Sequence, residues 1–497
     1  MKNKLRFRTW SSLAIVLVLM LIVSACGGGN NGSNNTSSNT SNNGGTTDNT
    51  AAANDSSNTN ATANNGADNN AATTDNAAAS GATVDITVWD QPNPDDTMKS
   101  VKEEVYADFE TANPGIKVKH ELMPQGTNDR EVFVTAMAGG NGPDAYHAAH
   151  FPIIADWVGQ GLALDLTPYW DSYADKDQFI ASSMQAGTID GKVYGIPHDM
   201  YVTGLFWNKK MFEAAGLDRD TPPATWDQLV EFGQKLTNTS KKQYGITLLG
   251  MEWADWWFEY YVWQAGGDLT HVNDDGTVQL AFTEDPSIQA LQFYKDLKWK
   301  YKIVQNNVLQ SYQDNMNDIF QGRAAMSNAA SGGFGDYVAQ GMDLNDVGFA
   351  PYPVGPGGKG PGQIGGAYWI INPKTSKEKQ DAAWKYITYM NSKEVAEKYL
   401  TFQQDNGIFP NLLSVRSDVD PSQFAKDISP ELVAAVNKAA SDTHLEYFLK
   451  ERLTPYVVKA VQKALTDEKS DPKQLLQEAQ DAAQKEVVDA YNASVKK

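Results

Sequence analysis

Apolar and polar residues alternate across residues 84–89 and again across 116–119. This pattern predicts two β-strands, because successive side chains of a strand point to opposite faces. Between them, Val101, Val105 and Phe109 recur every four residues, as on the buried face of a helix, and an Asn-Pro-Gly triplet then ends that helix. A strand, a helix and a strand at this spacing form a βαβ unit, so the pattern predicts an α/β fold with a parallel sheet.

The stretch from residue 195 to 216 predicts a buried strand followed by a short helix. A glycine and a proline interrupt the backbone, an apolar run follows at 201–207, and Asn208 stands where a helix N-cap belongs. We interpret this stretch as the chain crossing from one lobe to another, which places Asp199 and Tyr201 at the seam. An ordinary loop, strand and helix inside one domain is the alternative interpretation.

A second crossing is predicted where a Pro- and Gly-rich loop near residues 350–366 leads into Gly-Gly-Ala-Tyr-Trp-Ile-Ile. In the strand that follows, Tyr368 and Trp369 point to opposite faces. We therefore expect only one of these two rings to face a cleft.

The densest aromatic segment, residues 253–263, predicts a helix whose rings cannot all point the same way. Trp253, at the helix start, and then Trp256 are the predicted binding residues of this segment. The remaining rings are predicted to pack in the core, as most aromatic stripes do.

The first residues predict a targeting segment. A basic start is followed by an apolar run at 13–23 that is short for a membrane span but typical of a signal peptide. Cys26, the only cysteine in 497 residues, follows small residues as in a bacterial lipobox, and a buried free cysteine is the less favoured alternative. Residues 27–82 contain only Gly, Asn, Ser, Thr, Ala and Asp and predict a disordered tether. We expect a signal peptide at 1–25 and a lipidated tether at 26–82.

About 415 residues remain, which favours two lobes over a single core. The formal charge of −20 disfavours nucleic acid and anionic ligands. No G-x-S-x-G, H-E-x-x-H or G-x-x-x-x-G-K-[ST] motif occurs, so we predict no enzyme and no cofactor. His147 and His150 lack an indicated third ligand, and we predict no metal.

Nine short motifs occur in one order: I-T-V-W, N-P-G-I-K-V, G-P-D-A-Y, L-D-L-T-P-Y, G-K-V-Y-G-I-P, L-F-W-N-K-K-M-F-E-A-A-G-L, P-P-A-T-W-D-Q-L, I-F-Q-G-R-A-A-M and G-I-F-P-N. From about residue 84 to the C-terminus the chain resembles the bacterial extracellular solute-binding proteins of family 1, the sugar-binding lipoproteins of ABC importers. The resemblance implies an α/β, two-lobed, periplasmic-binding-protein-like (type II) fold with hinged lobes and an interlobe cleft. It implies lobe 1 from 83–198 and about 367–405, and lobe 2 from about 199–366 and 406–497.

Sugars are bound by stacking on aromatic rings and by hydrogen bonds to carboxylates and amides. Strand ends, glycine turns and the two crossings offer such groups, and the predicted ligand-binding residues are Trp89, Asp90, Gln91, Asp144, Asp199, Tyr201, Trp253, Trp256, Phe334, Tyr368 and Trp369. Asp144 follows Gly-Pro, where the resemblance implies a ligand-facing acid, but a turn-forming aspartate is an equal alternative. Phe334 follows small residues where the resemblance implies a stacking ring.

We therefore expect a lipid-anchored receptor on the extracellular face of a Gram-positive-like cytoplasmic membrane. It would bind a carbohydrate and present it to the permease subunits of an ABC transporter, as a monomer that touches the membrane only through its lipid. The 13 tryptophans favour an oligosaccharide, because several rings suggest several subsites. A surface-anchored carbohydrate-active hydrolase and a peptide- or amino-acid-binding relative are the alternative hypotheses.

Overall fold

The computed structural model describes residues 83–90, 96–123, 129–151, 153–251, 253–425 and 428–495. The predicted signal peptide, the predicted lipidation site Cys26, the predicted tether and Gln91 lie outside these ranges. Within them, no helix combines the length and apolar composition that crossing a bilayer requires.

Thirteen strands are described, and most are short. In chain order they are β1 (Val84–Asp90), β2 (Ile116–Leu122), β3 (Ala145–Ala149), β4 (Thr188–Ile189), β5 (Lys192–Val193), β6 (Ile196–Asn208), β7 (Tyr244–Ile246), β8 (Thr270–Val272), β9 (Val278–Leu280), β10 (Ala324–Ala330), β11 (Val347–Ala350), β12 (Gly362–Ile371) and β13 (Thr443–His444).

The α-helices surround these strands. In chain order they are α1 (Lys99–Ala112), α2 (Asp129–Gly139), α3 (Ile153–Gly159), α4 (Thr167–Asp171), α5 (Ala181–Met184), α6 (Lys209–Ala214), α7 (Trp226–Leu236), α8 (Ala254–Gln264), α9 (Asp285–Trp299), α10 (Tyr312–Phe320), α11 (Phe334–Ala339), α12 (Lys377–Met390), α13 (Lys393–Asn406), α14 (Pro430–Ala440), α15 (Lys450–Thr466), α16 (Pro472–Ala483) and α17 (Asp489–Val495).

Nine strands of the described residues form one sheet, in the order β2-β1-β3-β12-β6-β10-β7, with β11 on β6 and β13 on β12. The β1–β2 and β1–β3 pairs are parallel, as the βαβ pattern predicts, whereas β12 runs antiparallel to β3 and to β6. Two separate hairpins, β4–β5 and β8–β9, lie off this sheet.

The apolar interior is divided into three clusters. The first core packs β1, β3 and β12 against α1, α3 and α12. The second core surrounds α8, α9 and α15, and the third core lies between α10, α11 and α14. We use lobe 1 for the part around the first core and lobe 2 for the part around the other two. Val415, well after α13, still packs in the first core.

Two long strands, β6 and β12, run from one lobe into the other. The first half of β6 pairs with β12, and its second half pairs with β10 and β11 of lobe 2. Accordingly Ile196 of β6 is buried in the first core, whereas Trp207 is buried in the second. The chain therefore crosses between cores at the two places where glycine precedes an apolar run.

Helix ends follow the local signals closely. Asn208 accepts a hydrogen bond from the Met211 amide at the start of α6, and Gly216 adopts φ = +73° just after that helix. Thr225 caps α7 by accepting from the Gln228 amide. The predicted N-cap at Asn208 is thereby confirmed.

Candidate functional site

A cavity of about 330 Å³ opens beside the two crossing strands. Its walls combine residues of β6 with the loop after β10, the first turn of α10, and a loop after α13. The lining includes Asp199, Tyr201, Tyr312, Gly332, Gly333, Asp336 and Asn411. Predicted site residues Asp199 and Tyr201 thus lie side by side at the cavity, where lobe 1 continues into lobe 2.

The two crossing strands approach each other closely where Gly365 of β12 pairs with Tyr201 of β6. A Cβ atom at position 365 would overlap the Tyr201 ring. At this position, therefore, glycine is what allows the Tyr201 ring to lie flat against the neighbouring strand and reach the cavity.

Replacing Gly365 with alanine is expected to lower the free energy of unfolding by about 1–3 kcal/mol, because the added methyl group would overlap the end of the Tyr201 ring and force it to move. It should also displace the Tyr201 ring and weaken ligand binding. Urea unfolding and calorimetry would measure both effects. Gly332→Ala is the matched control, because its Cβ would lie 3.7 Å from the nearest Tyr201 atom, an ordinary contact. Equal effects of the two substitutions would contradict the steric argument.

An aromatic wall stands beside the cavity on lobe 2. The Trp253 and Tyr312 rings meet edge to face with centroids 5.6 Å apart, and Trp256 lies 6.4 Å from Tyr312. The Trp256 indole N–H donates to Gln363 Oε1 of β12, and the Tyr260 hydroxyl donates to the same oxygen at 3.0 Å. The wall is therefore tied to the second crossing strand.

Trp253 differs from the other rings of its segment. It is 53% exposed, and it holds a left-handed backbone conformation of φ 60° and ψ 19° as the N-cap residue of α8. This conformation costs a non-glycine residue roughly 1–2 kcal/mol, and such strain is found preferentially at functional sites. By contrast Trp257, Tyr260 and Tyr261 are buried, which confirms their predicted packing role.

Beneath the aromatic wall, α8 and α15 are joined by buried charges. The Lys450 ammonium lies 2.8 Å from Glu259 and 2.5 Å from Glu446, and all three side chains are buried. Asp255 accepts hydrogen bonds from the hydroxyls of Tyr447 and Thr454 at 2.7 and 2.6 Å. Burial opposes the charge on Lys450, but the surrounding carboxylates raise its pKa above the usual value. This charge network fixes the start of α8, and with it Trp253, against α15.

On lobe 1, a polar cluster lies at the carboxyl end of β1. His147 Nδ1–H donates to Asp90 Oδ1 at 2.7 Å, and the His147 ring stacks on Trp369 with centroids 4.4 Å apart. Burial opposes ionisation of Asp90, yet its contact with His147 lowers the pKa of the carboxyl. His198 Nδ1–H donates to Asn391 Oδ1 at 2.8 Å. Among the described residues, no group of three or more potential ligands is arranged to hold a metal ion.

His198 makes the stability of the fold dependent on pH. Burial lowers the pKa of His198 to about 4, and repulsion by His147 adds to this, while Asp90 and Asp199 oppose it. In the unfolded chain a histidine titrates near 6.5, so between about pH 6.5 and 4 the unfolded state binds more protons. The free energy of unfolding should therefore be maximal above about pH 6.5. It should then fall by on the order of 3 kcal/mol towards pH 4.

Urea titrations from pH 4.5 to 7.5 would measure this loss. His198→Gln should have a flatter profile than the wild type, and the difference between the two isolates the contribution of this histidine from that of Asp90. Parallel profiles would contradict the assignment.

Two predicted site residues of lobe 1 have structural partners. Asp144 is 6% exposed, accepts from the Thr87 amide at 2.8 Å and pairs with Lys379 at 3.0 Å. These contacts favour the turn-forming role over the ligand-facing one. The Trp89 indole N–H donates a hydrogen bond at 2.8 Å to Glu121 on the neighbouring strand, so this donor is already engaged within the protein.

The other aromatic candidates lie in packed interiors. Phe334 is fully buried in the third core, between Phe349 and Tyr337, so its ring is not available for stacking. The glycines before it, Gly332 and Gly333, line the cavity instead. Tyr368 and Trp369 are 1% and 2% exposed, and the expectation that one of them faces the cleft finds no support in this packing.

Several cavity residues were not among the predicted ones, and Tyr312, Asp336 and Asn411 are polar examples. The first had a detectable signal, because Ser311 and Asp314 form a capping box that starts α10 and fixes its first turn. Asn411 is the last residue of the G-I-F-P-N motif, and its amide donates to the Met200 carbonyl of β6. Asp336 had no local signal, since its place at the cavity depends on how lobe 2 folds around β10.

Comparison with known proteins places the chain among binding proteins. Residues 91–397 match the family described as bacterial extracellular solute-binding protein. A binding protein of Brucella abortus (strain 2308) is 29% identical over 310 residues, which cover 62% of this chain and 72% of that protein. The maltotriose-binding protein of Pyrococcus abyssi (strain GE5 / Orsay) is 26% identical over 342 residues, 67% of this chain and 68% of its own.

Solved structures give the same fold. An ABC substrate-binding protein of Listeria monocytogenes in complex with cycloalternan superposes with a TM-score of 0.67 at 21% identity, covering 81% of this chain and 98% of that chain. The structural neighbours confirm the predicted two-lobed, type II periplasmic-binding-protein fold. The comparisons give no support to the alternative of a carbohydrate-active hydrolase.

Proposed function

The chain belongs to the bacterial extracellular solute-binding proteins, and from this premise we propose that it binds a carbohydrate in the cavity beside β6 and β12. The observation that carries this proposal is the exposed, strained Trp253 against the ring of Tyr312, which lines that cavity. An exposed indole offers a flat apolar surface to the C–H face of a sugar, while Asp199, Asp336 and Asn411 offer hydrogen-bond partners to its hydroxyls. A related protein is named for binding maltotriose.

The charges at the cavity favour a neutral solute. Asp199 and Asp336 carry the only formal charges among the described lining residues, and both are negative. The chain as a whole has a formal charge of −20. An anionic solute such as a sugar phosphate would be repelled, whereas a neutral sugar would not.

Binding is proposed to act by a population shift between an open and a closed arrangement of the lobes. A ligand that contacts both lobes favours the closed state by its differential affinity for that state. The lobes are proposed to divide near the predicted boundaries, with lobe 1 extended to include Val415. Asp199, Tyr201 and the aromatic wall would be presented to one ligand. The closed, loaded form would then be delivered to the permease subunits of an ABC importer.

Anchoring through Cys26 is part of the same proposal. Lipid attached at this residue would hold the receptor at the extracellular face of the membrane, with the Asn- and Ser-rich segment as a tether. Metabolic labelling with a palmitate analogue tests it. Label on the natural chain but not on a Cys26→Ser chain is expected, and equal labelling of both would contradict it.

Isothermal titration calorimetry with a series from maltose to longer malto-oligosaccharides tests the carbohydrate assignment. We expect saturable binding of at least one member, and recovery of that sugar intact after prolonged incubation. sn-Glycerol 3-phosphate and a mixture of amino acids serve as charged comparison solutes. Binding of an amino acid with no response to any sugar would overturn the assignment, and cleavage of the sugar would overturn the role of receptor.

A further inference from the structure

The first turn of α15, residues 450–452, contacts both lobes. Lys450 points into the charge network of lobe 2, whereas Glu451 and Arg452 point towards lobe 1. We propose that Arg452 and Asp156 are positioning residues for ligand binding. Their ion pair holds the two lobes together, and Arg452 belongs to the same rigid unit as Trp253. This inference rests on the proposed binding function and adds to it residues that need not touch the ligand.

The ion pair joins two separate cores. Arg452 Nη2 lies 2.5 Å from Asp156 Oδ1. Asp156 belongs to α3, whose neighbouring Ile153 and Trp157 are buried in the first core. Arg452 precedes Leu453, which is buried in the second core. Any movement that separates the lobes at this edge must therefore break the pair.

A second contact and a second cavity lie at the same edge. His150 Nε2 is 3.8 Å from Glu451 Oε1, again between lobe 1 and α15. An open cavity of about 350 Å³ is lined there by residues of α2, α3 and the first turn of α15, including Arg452 and Asp156. At this edge the lobes thus meet through charged contacts around a space. Such a junction can open and close without exposing a core.

The first turn of α15 is itself held rigidly to the aromatic wall. Leu449 precedes α15 with φ 58°, as Trp253 precedes α8 with φ 60°, so both helices begin from a left-handed residue. Lys450 and Glu259 then join the two helices by an ion pair. Trp253 and Arg452 consequently belong to one unit. A ligand that fixes this unit against lobe 1 also brings Arg452 to Asp156.

The side chains of Arg452 and Asp156 are 39% and 20% exposed, so water and salt screen the pair in part. For a partly screened pair that exists only in the closed arrangement, we expect its loss to raise the dissociation constant about three- to tenfold. The change should appear mainly in the dissociation rate, because the pair must break before the ligand leaves. Added salt should weaken binding by the wild type more than by the variant.

The experiment measures lobe separation without any ligand. In the full chain carrying Cys26→Ser, which removes the only cysteine, cysteines placed at the exposed positions Lys385 of α12 and Lys473 of α16 would carry spin labels. Pulsed electron spin resonance then reports the distribution of distances between lobe 1 and lobe 2. Arg452→Gln and Asp156→Asn are compared with Lys463→Gln, which alters an exposed lysine of the same helix that pairs with Asp467.

We expect Arg452→Gln and Asp156→Asn each to shift the distribution to longer distances and, where a sugar binds, to speed its dissociation about three- to tenfold. The double variant should be no worse than either single variant, because both remove one interaction. Distances and rates matching those of Lys463→Gln would overturn the inference. If no sugar binds any chain, the proposed function fails, while the ligand-free distances still decide whether the pair holds the lobes.

Discussion

Replacing Lys450 with alanine is expected to destabilise the protein by about 3–5 kcal/mol, because it leaves Glu259 and Glu446 buried without a partner charge. Both carboxylates are almost inaccessible to solvent, at 0% and 8% exposure, so water cannot compensate the loss. Urea unfolding followed by tryptophan fluorescence would measure the change in the free energy of unfolding.

Lys463→Ala is the matched control for this substitution. It lies in the same helix and also pairs with an acidic residue, Asp467 at 3.0 Å, but its side chain is 56% exposed. An exposed helical pair of this kind contributes about 0.3–0.5 kcal/mol. Combining Lys450→Met with Glu259→Gln should recover part of the stability, since an uncharged amide then replaces one of the two buried carboxylates. A loss for Lys450→Ala as small as that for Lys463→Ala would show that the network does not depend on the lysine charge.

Replacing Trp253 with glycine is expected to have opposite effects on binding and stability. Loss of the stacking surface should weaken sugar binding about 10- to 100-fold, the equivalent of one aromatic side chain buried against a ligand. Glycine adopts φ 60° without steric cost, so the free energy of unfolding should stay unchanged or rise by up to about 1 kcal/mol. Calorimetry with the sugar and urea unfolding give the two values.

Two further variants make this result specific. Trp253→Phe keeps a ring and should fall between the wild type and Trp253→Gly in affinity. Val272→Ala alters another apolar side chain of lobe 2 with similar exposure, 54%, and should leave affinity unchanged. A Trp253→Gly protein that loses several kcal/mol of stability would show that the ring serves the fold rather than the ligand.

The local parts of the fold could be predicted from the sequence because their signals are local. Alternation at 84–89, the four-residue spacing in α1 and the cap at Asn208 each depend on residues within a few positions. The glycine-then-strand pattern likewise marked both crossing strands, since only glycine permits the close approach of Gly365 to Tyr201.

The candidate site was only partly predictable, because the partners in it are far apart in the chain. Asp255 and Glu259 look like surface charges within an aromatic helix, and their burial follows from Lys450 and Tyr447, which come much later. Phe334 was expected at the cleft because small residues precede it. Its ring is instead buried in the third core, and only the small residues before it line the cavity. Periodicity predicts that a side chain lies on the buried face of its helix or strand. It does not show whether that side chain fills the apolar core or the neighbouring cavity.

β12 comes late in the sequence, and this affects the order in which the lobes can fold. This strand lies between β3 and β6 in the sheet, so the first core stays open along one edge until residues 362–371 have been synthesised. Lobe 1 therefore cannot complete its folding in step with synthesis, and most of lobe 2 is made before it closes. During most of its synthesis, such a chain therefore has an incompletely folded lobe 1. An incompletely folded polypeptide can still pass through a narrow export channel.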